Sequence, residues 1–402
     1  MAGPERIGRL SRGWAGGAAL ALAGVLALVL SAAGAPAVGA PYVINTILPM
    51  TGSGAFLGQP DAQALQALER VVNAKGGIKG HPVHFAIQDD QTNPQVGVQL
   101  ATQIMAKHVP VILGPQLVAV CRAVGALVKE GPVDYCLSPG IHPDAGSYVF
   151  TGNVSTHDLA QAILTYFRAQ GWTRIAVISS TDASGQDGEA SVVSVAESLQ
   201  NVQIADREHF APSDVSVSAQ IARISAVKPQ AIVAWSTGTP IGTVFKGITE
   251  SGLNIPVATT NGNMTFAQMD QYASFLPREL YIATGTWAAY SALKPGRVKT
   301  VLTGFFDALQ ASHIKADEPP SLAWDPPMII IDALNHLGTE ATAAQIREYI
   351  ANLRGWPGIT GIYDFKTYPQ RGLGPQDAYT TRWDASKHNW VPVSGPGGVP
   401  LK

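Results

Sequence analysis

YVINTILPMTGSGAFLGQPDAQALQALERVVNAKGGIKGHPVHFAIQ, residues 42–88, contains one full period of the pattern that decides the fold. Its first seven residues are rich in β-branched and aromatic side chains and read as a strand. A helix is expected over 60–75, because Ala64, Leu65, Leu68 and Val72 recur at helical spacing, and Gly76-Gly77 supplies its stop. Residues 83–88 then read as a second strand. The single apolar stripe on the helix implies that it lies on a sheet.

The same alternation continues along the chain. A helix over 94–108, a strand over 109–113, a helix over 119–129 and a strand over 133–137 complete a first series. A second series follows Thr156, with a helix to 170, strand 174–179, helix 188–199, strand 202–208, helix 217–227, strand 231–234, helix 240–251 and strand 257–259. Repeated βα units make a parallel sheet covered by helices on both faces. Two such runs imply an α/β protein of two doubly wound lobes. From Trp287 the pattern is less regular, with helices expected over 295–312, 326–337 and 343–353, a strand near 362–365, and a loose end over the last residues.

Residues 1–40 stand apart. Arg6, Arg9 and Arg12 precede an apolar run over 15–30, and small residues follow as far as Ala40. That order is the pattern of a secretory signal peptide, cleaved after Ala37 or Ala40, and the run is short of the roughly 20 residues that span a bilayer. The expected compartment is the periplasm; an uncleaved anchor is the alternative. The remaining length of about 360 residues is large for one core, which again favours two lobes. Formal charge is −2 and charged residues make up 14% of the chain, so no basic stripe exists for a nucleic-acid partner.

Cys121 and Cys136 are the two cysteines. An oxidising compartment permits their disulfide, closing a loop of about 15 residues worth on the order of 3 kcal/mol in the chain-entropy view. Buried thiols are the alternative. No His stands at ligand spacing beside them, so neither a metal nor any other cofactor is expected.

Several segments, taken in order, resemble the periplasmic binding proteins of the branched-chain amino acid and hydrophobic amide ABC uptake family. They are LPMTGSGAFLG (48–58), VNAKGGIKG (72–80), QDDQTNP (88–94), VILGP (111–115), FTGN (150–153), RIAVI (174–178), GLNIPV (252–257) and GIYDF (361–365). The resemblance implies the type I periplasmic binding protein fold, with a three-crossover hinge near 152–156, 284–288 and 374–378. It divides the chain into a first lobe of 41–153 plus 288–374, a second lobe of 154–287 plus 375–394, and a flexible tail over 395–402. It further implies a monomer that closes on a small organic ligand and delivers it to ABC permease and ATPase subunits in the inner membrane.

Open doubly wound sheets bind ligands beyond the carboxyl ends of their strands. In the first lobe those loops offer Phe56, Leu57, Gln116, Leu117, Val118, Ser138, Pro139 and Gly140, with free backbone N–H groups where a loop enters a helix. Ser138 before Pro139 also reads as a turn former. The second lobe offers Asp182, Ser184, Trp235 and Asn261, and Trp287 lies at a crossover. Trp235, Trp287, Tyr290 and Trp324 are the aromatic candidates for cleft walls. Set against the family, this chain carries Gln116-Leu117-Val118 where amino-acid binders place Ser or Thr, Ser184 where Tyr is common, and Asn261 where a Glu pairs with the substrate ammonium. A neutral Asn cannot neutralise a buried cation. The expected ligand is therefore an apolar or aromatic carboxylate or amide, with a branched-chain or other neutral amino acid as the alternative. Asp182 and Asp325 are the acids that remain to replace the Glu, although Asp325 before Pro326 also suits a helix cap.

No His-Glu-x-x-His, P-loop or Gly-x-Ser-x-Gly motif occurs. Asp89-Asp90 reads as a turn at a strand end. The chain is thus read as a binding protein with no catalytic residues, and a periplasmic sensor built on the same clamp is the alternative from another class.

Overall fold

The computed structural model describes residues 39–401, so the export segment expected over 1–40 lies outside them apart from its last two positions. The first series folds as β1 (Tyr42–Leu48), α1 (Ala55–Ala74), β2 (Val83–Asp89), α2 (Pro94–Met105), β3 (Val111–Leu113), α3 (Val118–Gly125), β4 (Val133–Cys136) and β5 (Val149–Thr151). Its strands form one parallel sheet in the order β2-β1-β3-β4-β5. Apolar side chains point to both faces. Ile47, Ile112, Val120 and Val124 pack together on one side, and Ile44, Leu113, Tyr135 and Phe150 join the main core on the other. A sheet buried on both faces needs such near-continuous apolar strands.

The chain then enters a second sheet through α4 (Thr156–Ala169), β6 (Arg174–Ser180), α5 (Ala183–Ser198), β7 (Gln203–Phe210), α6 (Ser218–Ala226), β8 (Ala231–Trp235), α7 (Pro240–Glu250), β9 (Val257–Thr259), α8 (Phe266–Gln271) and β10 (Leu280–Thr284). It returns through α9 (Arg297–Ala311), α10 (Glu318–Leu322), α11 (Asp325–Leu337), α12 (Ala343–Asn352), β11 (Arg354–Pro357) and β12 (Ile362–Asp364), the last two pairing as a small ribbon. A third passage leads to β13 (Tyr379–Asp384) and β14 (Asn389–Pro392). The second sheet is ordered β14-β13-β10-β9-β8-β6-β7, parallel except for the antiparallel β13 and β14 at one edge. The result is the two-lobed α/β clamp with three crossovers.

Some boundaries differ from the sequence reading for clear reasons. Helix α1 starts at Ala55, five residues before the proline expected to open it, and Pro60 lies inside the helix, where it removes one intrahelical N–H donor without ending it. Helix α5 starts at Ala183, where the Asp182 carboxylate accepts the Gly185 N–H at 2.9 Å and caps a turn that the sequence suggested was loop. The tail, expected to be loose, is instead packed. Gly395 N donates to Val399 O, Leu401 N to Val393 O and Gly397 N to Ala378 O, and Ser394 is buried. Its glycines and prolines make tight turns rather than disorder. Cys121 and Cys136 form a disulfide with Cα atoms 5.9 Å apart.

Candidate ligand-binding cleft

Loops at the carboxyl ends of both sheets enclose a cavity of about 260 Å³. That is near the lower end for small-molecule sites, roughly 300–1,000 Å³. Among the residues expected from sequence, Phe56, Leu57, Gln116, Leu117, Val118, Ser138, Pro139, Gly140, Asp182, Ser184, Trp235 and Asn261 all line it. Trp287 does not: its indole N–H is taken by Thr284 Oγ1 at 3.0 Å, in the crossover behind the cavity. Tyr290 packs on Phe306 and Trp324 on Phe305, both away from the cavity. Sequence reasoning missed Thr156, Asp187, Thr237, Thr260 and Leu322 in the lining. The hydroxyl residues directly after β8 and β9 were within reach of the strand-end rule.

The first lobe supplies a hydrogen-bonding floor. Leu117 precedes α3 in extended conformation and gives it no side-chain cap, so the first N–H groups of this eight-residue helix open toward the cavity, as an anion or other acceptor requires. Beside them Gln116 is 3% exposed, and its Oε1 is buried without a partner. The Ser138 hydroxyl accepts the Gly140 N–H at 3.3 Å, the turn-forming role, and keeps its own proton to donate. The disulfide joins α3 to the end of β4, so these two loops are fixed to each other.

The second lobe supplies walls. Trp235 forms one of them, and Gly188 lies so close that a Cβ there would sit 2.1 Å from the indole, which leaves no room for any other residue. Phe56 stands on the opposite lobe. Ser184 Oγ and Thr237 Oγ1 are 2.7 Å apart, tying α5 to the loop after β8. Asn263 links that loop to the one after β9, donating to Ser236 O at 2.7 Å and accepting from Gly238 N at 3.0 Å. Asp182 lines the cavity but is engaged in capping α5. Asp325 is no part of the cavity; it accepts from Ile359 N and Thr360 N, each at 2.9 Å, and burial pushes its carboxyl up to about 6.

Two sets of charges bridge the lobes. At the rim, Asp187 on α5 accepts from His142 Nε2 at 2.7 Å and Arg122 Nη2 at 3.5 Å, both on the first lobe. Its other oxygen is buried without a partner and rests against Gly140, where a Cβ would approach it to 3.0 Å and Val118 to 2.7 Å. At the hinge end, Glu318 on α10 is fully buried. Its Oε1 accepts from Asn153 Nδ2 at 2.8 Å and Asn261 Nδ2 at 2.7 Å, and Thr284 Oγ1 meets its Oε2. Burial pushes the Glu318 carboxyl above its ordinary range, against the pull of those donors. Asp317 beside it is raised to about 7, chiefly by burial, and the buried Asp61 on α1 lies well above its usual value for the same reason, with both neighbours adding to it. No group of three or more potential metal ligands occurs among the described residues.

Comparison with known proteins gives these observations a frame. A family model described as "Periplasmic binding protein" matches residues 41–389. The Leu/Ile/Val-binding protein BraC3 of Rhizobium johnstonii is 27% identical over 209 residues, covering 50% of this chain and 56% of its own length; the matched part thus spans just over half of that relative. An extracellular ligand-binding receptor from Rhodopseudomonas palustris HaA2 superposes with a TM-score of 0.78 at 21% identity, covering 88% of this chain and 100% of that one. A solute-binding protein of an R. palustris ABC transporter, solved with 4-hydroxybenzoate, gives 0.73 at 16% identity, covering 88% and 95%.

Proposed function

The chain belongs to the periplasmic binding protein family, and from that premise we propose that it is the extracytoplasmic substrate-binding component of an ABC importer, closing on a small apolar or aromatic carboxylate or amide. The observation that carries this reading is the polarity of the cleft. One side offers uncapped helix N–H groups, suited to a carboxylate or amide, beside Gln116; the walls include Phe56 and Trp235; and the far side presents the carboxamide of Asn261, while the two acids of the lining are engaged elsewhere, Asp182 in capping α5 and Asp187 Oδ1 with His142 and Arg122. A protein of the same fold was solved in complex with 4-hydroxybenzoate, and a relative is named as a Leu/Ile/Val-binding protein, so the two ligand classes bracket the choice.

Binding shifts the population toward the state in which the ligand touches both lobes. Export to the periplasm and hand-over to a permease with its ATPase complete the proposed role. Differential scanning fluorimetry of the exported protein against aromatic acids, amides and neutral amino acids tests the ligand class. We expect aromatic acids to raise Tm most; stabilisation by leucine or valine alone would reject the choice in favour of the amino-acid reading.

A further inference from the structure

We propose that Glu318, which does not line the cavity, is a positioning residue that sets ligand selectivity: it turns the Asn261 carboxamide so that only its oxygen is offered to the cleft, and the ligand must bring a hydrogen-bond donor to that end. This deepens the reading of the cleft as a small-acid site and rests on it.

An indole N–H can only donate. Trp287 Nε1 donates to Thr284 Oγ1 at 3.0 Å, so the single proton of that hydroxyl is free to go to Glu318 Oε2. The opposite oxygen, Oε1, takes two carboxamide nitrogens, from Asn153 and Asn261. Every hydrogen bond to Glu318 therefore points toward it, the arrangement that suits an acceptor-only carboxylate. Asn261 has two distinguishable ends, and Glu318 fixes which is which. With Nδ2 committed behind the cavity wall, Oδ1 is left, and it holds only the Thr260 hydroxyl at 3.2 Å. Thr260 and Asn261 both line the cavity. The Thr260 hydroxyl uses one of the two acceptor positions of this carbonyl oxygen; a ligand atom that is itself an acceptor is repelled by the other, and one with nothing to donate leaves it unfilled, which is unfavourable once water is excluded.

Matched probes read this directly: 4-hydroxybenzoate against benzoate, and isoleucine against 3-methylpentanoate, the members of each pair differing in a donor group. Calorimetric titration of the wild type should show the donor-bearing member of the binding pair favoured by roughly tenfold to hundredfold. In Glu318→Ala the Asn261 N–H₂ loses its acceptor, the carboxamide is free to turn over, and the preference falls to about one, chiefly through weaker binding of the donor-bearing member; Glu318→Gln, which can keep its oxygen on the two carboxamide nitrogens and turn its N–H₂ to the Thr284 hydroxyl, should retain the preference. Asn261→Ala, with Glu318 intact, should lose the same preference, and circular dichroism checks that each variant is folded. A merely structural role would weaken both members equally. Equal affinities within each pair in the wild type, loss of preference in Asn261→Ala alone, or failure of both donor-bearing probes to bind would overturn the assignment. Discrimination confined to the isoleucine pair would support Glu318 while removing the aromatic-acid reading, so the two proposals fail separately.

Discussion

The rim and the hinge end of the cleft join the same two lobes with acidic side chains, yet they do so in opposite ways. At the rim, Asp187 meets the imidazole of His142 and the guanidinium of Arg122, whose side chains are 52% and 46% exposed. At the hinge end, Glu318 is fully buried and meets neutral donors only. A half-exposed ion pair is screened by water and salt and contributes little to stability. A buried carboxylate surrounded by donors cannot be removed without stranding each of them. The rim contact is thus the weaker of the two links between the lobes, and the hinge contact is the one whose loss strands several buried donors.

The largest effect should come from breaking the hinge contact. Glu318→Leu leaves the carboxamides of Asn153 and Asn261 and the Thr284 hydroxyl without their acceptor, and urea unfolding should report a loss of about 3 kcal/mol or more. A loss near zero would mean that water replaces the carboxylate. An intermediate effect concerns protons. Asp317 is raised to about 7 by burial, so between its unfolded value near 3.8 and about pH 7 the folded protein keeps a proton that the unfolded chain releases. Its contribution to stability is complete below that unfolded value and is lost as pH rises through the folded one. Asp90 and Asp377, raised to about 6 by burial, act in the same direction. Lowering the pH from 7 to 5 should therefore raise stability by on the order of 2 kcal/mol, and Asp317→Asn should flatten the Tm profile. A wild-type Tm that falls across this window would refute the account. The smallest effect on folding should be that of Asp187→Asn, below about 1 kcal/mol. Its signature lies elsewhere: small-angle scattering of the ligand-free protein should show a larger radius of gyration than wild type at low salt and the same radius at high salt. An unchanged radius at low salt would mean that the rim pair does not hold the lobes.

This contrast also explains what could be read from the sequence. The βα alternation is local, so the strands from Tyr42 onward and the order of both series were legible in the spacing of apolar residues. The cleft loops followed from the strand-end rule, which placed Gln116, Ser138, Trp235 and Asn261 on one cavity from distant parts of the chain. Glu318 carried no such signal. It stands in Asp317-Glu318-Pro319-Pro320, an acidic pair before two prolines, which reads as an exposed turn; its burial depends on Asn153, Asn261 and Thr284, each contributed by a different passage of the chain. Asp187 was hidden for a related reason. Reading residues 180–188 as a loop gave no helical face on which to place it, and the cap by Asp182 that makes the helix is a single hydrogen bond. The last two strands, β13 and β14, escaped because Thr380, Thr381, Arg382 and Asp384 in the first, and Asn389 and Pro392 in the second, dilute the apolar pattern.

The disulfide between Cys121 and Cys136 has an evolutionary corollary. It ties the start of α3 to the end of β4, just before Ser138–Gly140, so the part of the cleft proposed to hold the ligand's acid group is a covalently joined piece. Ser184, Trp235 and Asn261, which line the cavity and are proposed to gauge the rest of the cargo, sit on the other lobe and have no covalent tie to that piece. A lineage can therefore rewrite the gauge by single substitutions while inheriting the grip intact, and new cargo need not come at the expense of a working clamp.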